Sequence, residues 1–133
     1  MAIKLNNALR DAMLAEVITA ISPGELKVYD GAQPTTGGGA TTANLLVTFS
    51  GISWGSSTGG TSSITSTTGI AGTSATAGTA VWARLSGTDG TTYAIDGNVG
   101  TASTEGNFVI STLSFLGDTE ITLTELTLIQ PGE

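Results

Sequence analysis

Thr79-Ala80-Val81-Trp82-Ala83-Arg84-Leu85, followed by the turn Thr88-Asp89-Gly90 and then by Thr91-Thr92-Tyr93-Ala94-Ile95-Asp96, is the stretch that decides the fold. Val81, Ala83 and Leu85 alternate with Ala80, Trp82 and Arg84, and a period of two is the pleat of a strand with one face buried. Asp-Gly supplies residues that accept left-handed backbone, the strongest short hairpin signal. The partner strand sets Tyr93 and Ile95 on one face. The stretch therefore reads as an antiparallel hairpin, with Trp82 in the core.

The same pattern extends in both directions. Leu26-Lys27-Val28-Tyr29 reads as a strand closed by Asp30-Gly31, followed by Pro34 and a loose loop over residues 35–42. Residues 44–50 form a second strand with Leu45, Val47 and Phe49 on one face. Residues 51–60 are rich in Gly and Ser and carry Trp54 at their centre. Weaker strands are expected at 62–68 and 74–78. Asp96-Gly97-Asn98 reads as another turn, and residues 108–112 continue the meander.

The last strand, residues 119–130, is irregular. Ile121 and Leu123 occupy one parity and Leu126 and Leu128 the other. One extra residue near Thr124-Glu125 would restore a single apolar face, which predicts a β-bulge there. About seven to nine short strands spaced in this way predict an antiparallel β-sandwich or jelly-roll-like domain over residues 25–133.

Residues 1–21 differ in kind. Leu5, Leu9, Ala12, Met13, Val17, Ala20 and Ile21 recur at three- and four-residue steps, while Asn6, Asn7, Arg10, Asp11 and Thr19 fall on other faces. The spacing predicts one N-terminal amphipathic helix, capped by Asn6 or Asn7 and ended by Ser22-Pro23-Gly24. Two uses of its apolar stripe stay open: packing on its own sandwich, or docking on a neighbouring subunit.

Composition bounds the function. A chain of 133 residues makes one domain that buries roughly two-thirds of its unfolded surface. Apolar residues are 39% of it and mean hydropathy is +0.23, so it has the means to fold. Charged residues are only 11%, against about 25% in ordinary domains, and Thr, Ser and 19 Gly stand in their place. The net charge is -7, with Lys4, Arg10, Lys27 and Arg84 as the only cations. Gripping nucleic acid needs clustered Lys and Arg, so no nucleic-acid partner is expected. No stretch approaches the roughly 20 apolar residues of a membrane span, so no membrane partner is expected either. Lys4, Arg10, Asp11 and Glu16 interrupt the N-terminal region, which predicts cytosolic synthesis without a signal peptide.

The residues of catalysis are sparse. Cys and His are both absent, which removes thiolate chemistry, disulfides and imidazole bases. Gly51-Ile52-Ser53-Trp54-Gly55 matches the serine-hydrolase elbow pattern, but that elbow needs a strand-to-helix turn and a histidine to take the serine proton. Nothing positions Lys4 or Lys27 to substitute. Asp89, Asp96 and Asp118 each lie beside a Gly, where a carboxylate serves a turn by bonding its own backbone. Asp96-Gly97-Asn98 opens like a calcium loop, but the rest of the twelve-residue pattern and its final Glu are missing. The Gly-rich segment 35–40 lacks the Gly-Lys-Ser/Thr of a phosphate cradle. No catalytic residue, metal ligand or cofactor is assigned. The interface candidates are Leu5, Leu9, Met13 and Val17 on the helix, together with Trp54, whose ring either caps the sandwich edge or meets a partner.

The order of features resembles a known group. An N-terminal helix precedes Leu26-Lys27-Val28-Tyr29-Asp30-Gly31-Ala32-Gln33-Pro34 and a Thr/Gly-rich middle. Thr79-Ala80-Val81-Trp82-Ala83-Arg84, Asp89-Gly90-Thr91, Asp96-Gly97 and a Thr-rich last strand ending in Gln130-Pro131 follow. Taken together, these features resemble small tailed-phage and prophage virion structural proteins, of the head decoration or cement type. The resemblance implies a non-enzymatic subunit present in many copies or as a homo-oligomer, bound to the major capsid protein or other virion proteins. It implies a place in the virion after synthesis in the host bacterial cytoplasm. A neck or tail component is the alternative within a particle, and a carbohydrate-binding or adhesin module using Trp54 is the alternative outside it. The better-known trimeric decoration proteins do not begin with a helix, so their symmetry and contact residues are not carried over.

Overall fold

The computed structural model describes residues 4–21, 24–56, 58–59, 61–63, 70–74, 76–87, 94–102, 108–118 and 120–129; for 61–63, 70 and 124–129 it describes the backbone alone. Among the described residues one helix, α1 (Asn7–Ile21), precedes ten strands. These are β1 (Gly24–Tyr29), β2 (Leu45–Ile52), β3 (Thr61–Ser63), β4 (Ile70–Thr73), β5 (Ala77–Thr79), β6 (Trp82–Ser86), β7 (Ala94–Gly100), β8 (Phe108–Ile110), β9 (Ser114–Leu116) and β10 (Glu120–Ile129). The protein is mainly β with one N-terminal helix, as the alternation predicts.

Eight strands make one sheet in the order β2-β1-β6-β7-β8-β10-β3, with β4 also paired to β10. The sheet curls until its ends nearly meet. At Gly72 in β4 an added Cβ would lie 3.0 Å from Val47 Cγ2, Phe49 Cδ1 and Thr48 O of β2, so the absent side chain is what lets β4 lie against β2. The result is a sandwich-like, almost closed sheet, with β5 and β9 forming a separate two-stranded ribbon.

Inside lie Leu26 and Val28 of β1, Val47 and Phe49 of β2, Ala83 and Leu85 of β6, and Ile121 and Leu123 of β10, all fully or almost fully buried. Each large apolar side chain so buried stabilises the fold by roughly 1.5–3 kcal/mol before entropy is counted. The predicted hairpin is present: β6 and β7 pair antiparallel from Trp82↔Asn98 to Ser86↔Ala94. Thr88-Asp89-Gly90 and Tyr93, assigned to its turn and partner strand, lie outside the described residues.

Several expectations are corrected. Asp96-Gly97-Asn98 is no turn; it is the middle of β7, paired with Arg84, Ala83 and Trp82. The strand expected over 79–85 is two pieces, since Thr79 closes β5 and β6 begins at Trp82. The strand expected at 74–78 falls across the gap between β4 and β5, where Ser74 O accepts the Asp118 amide at 2.7 Å. The meander fails at β8, which runs parallel to β7 through Val99↔Phe108 and Gly100↔Val109. Leu45 is 40% exposed, while Leu46 is buried. The register explains this: Val28 and Tyr29 are consecutive in β1 but face Val47 and Leu45, so Leu46 is an extra residue that reverses parity. Of the strand expected at 62–68, the described part is β3; residues 64–68 lie outside the description.

The bulge in the last strand is where the apolar pattern required it. Leu123 faces Ile110 and Glu125 faces Val109, leaving Thr124 as the extra residue. A further irregularity in β2 has Gly51 at φ +69°, with Gly24↔Ile52 and Leu26↔Phe49 spanning unequal lengths. The apparent hydrolase elbow at Gly51-Ile52-Ser53-Trp54-Gly55 is therefore the bulged end of a strand, and the described residues after it, 53–56, are not helical.

The helix begins as predicted: Asn6 Oδ1 accepts the Leu9 amide at 2.9 Å, satisfying a donor that a helix start leaves orphaned. Its last residue, Ile21, is 1% exposed and belongs to the main core. Docking is close enough to dictate Gly24 in β1 and Gly87 just after β6. A Cβ at Gly24 would collide with Ile21 O, and one at Gly87 would lie 2.8 Å from Ala20 O.

Candidate functional site

The helix face that packs inward is Arg10, Leu14 and Ile21, with Val17 and Ile18 beside it. Leu9 and Met13, on the predicted stripe, are 48% and 39% exposed. Apolar residues stand nearly all round this helix, so two stripes about 100° apart fit the same three- and four-residue spacing. Arg10 decides between them in an unexpected way: its guanidinium donates to Asn7 Oδ1 at 3.0 Å, and its stem is buried. Of the interface candidates, Leu9 and Met13 therefore share one exposed flank. Leu5 is half-buried and Val17 packs against the core.

Trp54 is also buried, at 9% exposure, and joins the main core. It caps the sandwich from within and offers no open ring. Its Nε1 is shielded from solvent and finds no acceptor among the described residues. The edge of Trp54, with Asp11, Ala12, Ala15 and Ile18 of α1 and Gly55 and Ser56, lines a shallow groove.

The outer face of β1, β6 and β7 carries the most organised polar chemistry. Tyr29 and Trp82 are directly paired across β1 and β6, and their rings stack with centroids 4.5 Å apart and planes 14° from parallel. Arg84, two residues along β6 and hence on the same face, sets its guanidinium carbon 5.3 Å from the centroid of the Trp82 ring. Asp96 stands directly opposite Arg84 in β7. Two parallel bonds join them, Nε to Oδ1 at 2.7 Å and Nη2 to Oδ2 at 2.9 Å. This is the bidentate fork that a planar guanidinium makes with a carboxylate. The hydrogen bond to Asp96 raises the Arg84 pKa above its ordinary value, against the opposing effect of burial.

Trp82 is fully buried although it points away from the main core. Its cover is the loop 30–44. Trp82 Nε1 donates to Asp30 O at 3.2 Å, Arg84 Nη2 donates to Gly39 O at 2.7 Å, and Asp96 Oδ2 accepts the Gly38 amide at 3.1 Å. The base of the loop is tied by Asp30, whose carboxylate accepts the Asn44 amide at 2.7 Å and the Asn44 Nδ2 at 3.1 Å. Gly38, at φ +75°, turns the loop back over Ala94 of β7. Residues 30–36 and 39–43 line an open cleft of 640 Å³ with a mixed polar and apolar surface.

Chemically, this arrangement holds a loop in place. The Asp96 carboxylate is committed to Arg84 and Gly38, and Asp118 sits in a left-handed turn at φ 49°. Among the described residues no group of three or more acidic side chains gathers as a metal site would require. No described helix is long and apolar enough to cross a membrane. The clamp was hidden in the sequence because Asp96-Gly97-Asn98 carries turn residues. The available signal was that Arg84 and Asp96 are oppositely charged at mid-strand positions of one hairpin, where a cross-strand pair forms. Compared with family models, curated proteins and solved structures, the chain matches none of them.

Proposed function

We propose that this chain is a non-enzymatic structural protein of a tailed-phage virion, a decoration subunit that binds the assembled capsid shell and stabilises it. The observation that carries the reading is the helix. Docked through Leu14 and Ile21, it turns Leu9 and Met13 outward, a firm apolar flank on a protein of net charge -7. Exposed apolar side chains fixed on a rigid element are what a partner surface uses as anchors. The resemblance of the strand and turn order to small virion proteins supplies the kind of partner: the major capsid protein.

A cement subunit acts by mass action. It binds the assembled shell and has little affinity for dissociated subunits, so each occupied site shifts the balance toward assembly. Many weakly bound copies share the load of packaged DNA. The adhesin alternative loses its support because Trp54 is buried and presents no platform for a sugar. Copy number in purified particles tests the proposal. A number matching the capsomer junctions, with loss of binding on Leu9→Ser and Met13→Ser, is the expected result. A small ring-like number would move the protein to the neck or tail, and absence from particles would overturn a virion role.

A further inference from the structure

We infer that residues 31–43 form a strap that opens as a unit, with Arg84 and Asp96 as its latch, and that opening uncovers the stacked Tyr29 and Trp82 rings. The inference begins from a mismatch between what the strap covers and what it contributes. The ring beneath it is completely buried, yet no residue from 31 to 43 is itself buried; Pro34, Gly39, Thr41 and Ala43 are half-buried and the others are exposed. The cover is therefore backbone and small side chains, with little apolar area holding it down.

What holds the strap is polar and concentrated. At its crest the attachments are Gly38 N to Asp96 and Gly39 O to Arg84; at its base they are Asp30 to Asn44 and Trp82 Nε1 to Asp30 O. The crest bonds both end on one ion pair, so losing that pair releases both. The sheet below has its own ladders from β1 to β6 and from β6 to β7, and these do not involve the strap. A segment with few buried apolar contacts over an independently bonded scaffold is the kind that opens below the free energy of global unfolding. Once open, the sheet presents the two stacked rings with the Arg84 guanidinium beside Trp82.

Amide and indole hydrogen exchange on the full chain tests this directly. The Gly38 amide and the Trp82 indole N–H are expected to exchange at a common rate, well above that of the β1 and β6 ladder amides. Asp96→Asn removes the charge at the latch and is expected to raise both rates about tenfold, the size of one charge-assisted bond, with the ladder amides remaining the slower set. If the Trp82 indole in the wild-type protein exchanges only as slowly as the ladder, the strap does not open separately and the inference falls. It falls equally if Asp96→Asn leaves the Gly38 and Trp82 rates at their wild-type values. Should Asp96→Asn fail to fold, the wild-type comparison still decides.

Discussion

Arg84 and Asp96 face each other across β6 and β7 and are joined by two bonds of 2.7 and 2.9 Å, with side-chain exposures of 14% and 2%. A pair this enclosed is unlike an exposed ion pair, because removing one partner leaves the other desolvated and uncompensated. Asp96→Asn is expected to lower stability by about 1–3 kcal/mol. Adding Arg84→Met to that variant should cost less than the sum of the two single changes. Urea unfolding of the four proteins gives the coupling; strict additivity would mean that the pair contributes nothing of its own. The pH consequence follows from sign. Arg84 is raised above an ordinary value that is already strongly alkaline, so its contribution is complete below that value and is lost only as pH rises beyond it. Between pH 5 and 9 this guanidinium adds no slope to stability.

The two tryptophans separate by their nitrogens. Trp82→Ala removes a fully buried ring that stacks on Tyr29, and a loss of about 3–5 kcal/mol is expected. Trp82→Phe also forfeits the bond to Asp30 O and orphans that carbonyl, whereas Trp54→Phe removes a donor that has no partner among the described residues. Trp54→Phe should accordingly stay within about 1 kcal/mol of wild type, since relief of an unmet donor offsets the smaller ring. Equal denaturant midpoints for the two Phe variants would contradict this.

Glycine substitutions test how tightly the helix is docked. Gly24→Ala and Gly87→Ala each push a methyl against helix backbone at Ile21 O and Ala20 O, where nothing flexible can yield. Losses of about 1–3 kcal/mol are expected, the range for overpacking. Gly37→Ala, with nothing within 4 Å of the added carbon, is the control and should be neutral. Thermal melts of the three variants suffice, and a neutral Gly87→Ala would mean that helix and sheet sit further apart.

Deleting residues 1–21 strips Leu14 and Ile21 from the surface they cover, and aggregation is the expected outcome. Leu9→Ser and Met13→Ser touch only exposed positions and should change stability by no more than about 0.5 kcal/mol. Light scattering of the truncation and melts of the point variants check both. A soluble, folded truncation would show that the helix is dispensable to the fold.

How much could be read in advance follows from what each residue depends on. The Ile121, Leu123, Leu126, Leu128 parity conflict exposed the bulge, because only an extra residue reconciles two apolar parities with one face. Asn6 showed the helix start because a cap is a local device. Leu45 shares the parity of Val47 and Phe49 yet lies outside, because the extra residue Leu46 shifts the register between them. Leu9 and Leu14 compete for the buried face of α1, and what separates them is the sheet they meet, which is a non-local fact. The Trp82 site was half legible. Its burial followed from an alternating strand, but its cover comes from a loop some forty residues earlier, and no local pattern joins Gly39 to Arg84.

The last strand has a consequence in time. β3, β4 and β8 all pair with β10, so none of those ladders exists until residues 120–129 have been made. The ladders joining β2, β1, β6 and β7 need nothing beyond residue 100. A chain emerging from the ribosome at about 5–20 residues per second can therefore hold a half-sheet, extended by β8, whose β8 edge stays open for roughly a second or more until β10 arrives. Unpaired edges invite other chains. A neighbour on the same messenger presents the same edge, so the pace of translation through the codons for residues 111–129 sets how long that edge is open to it.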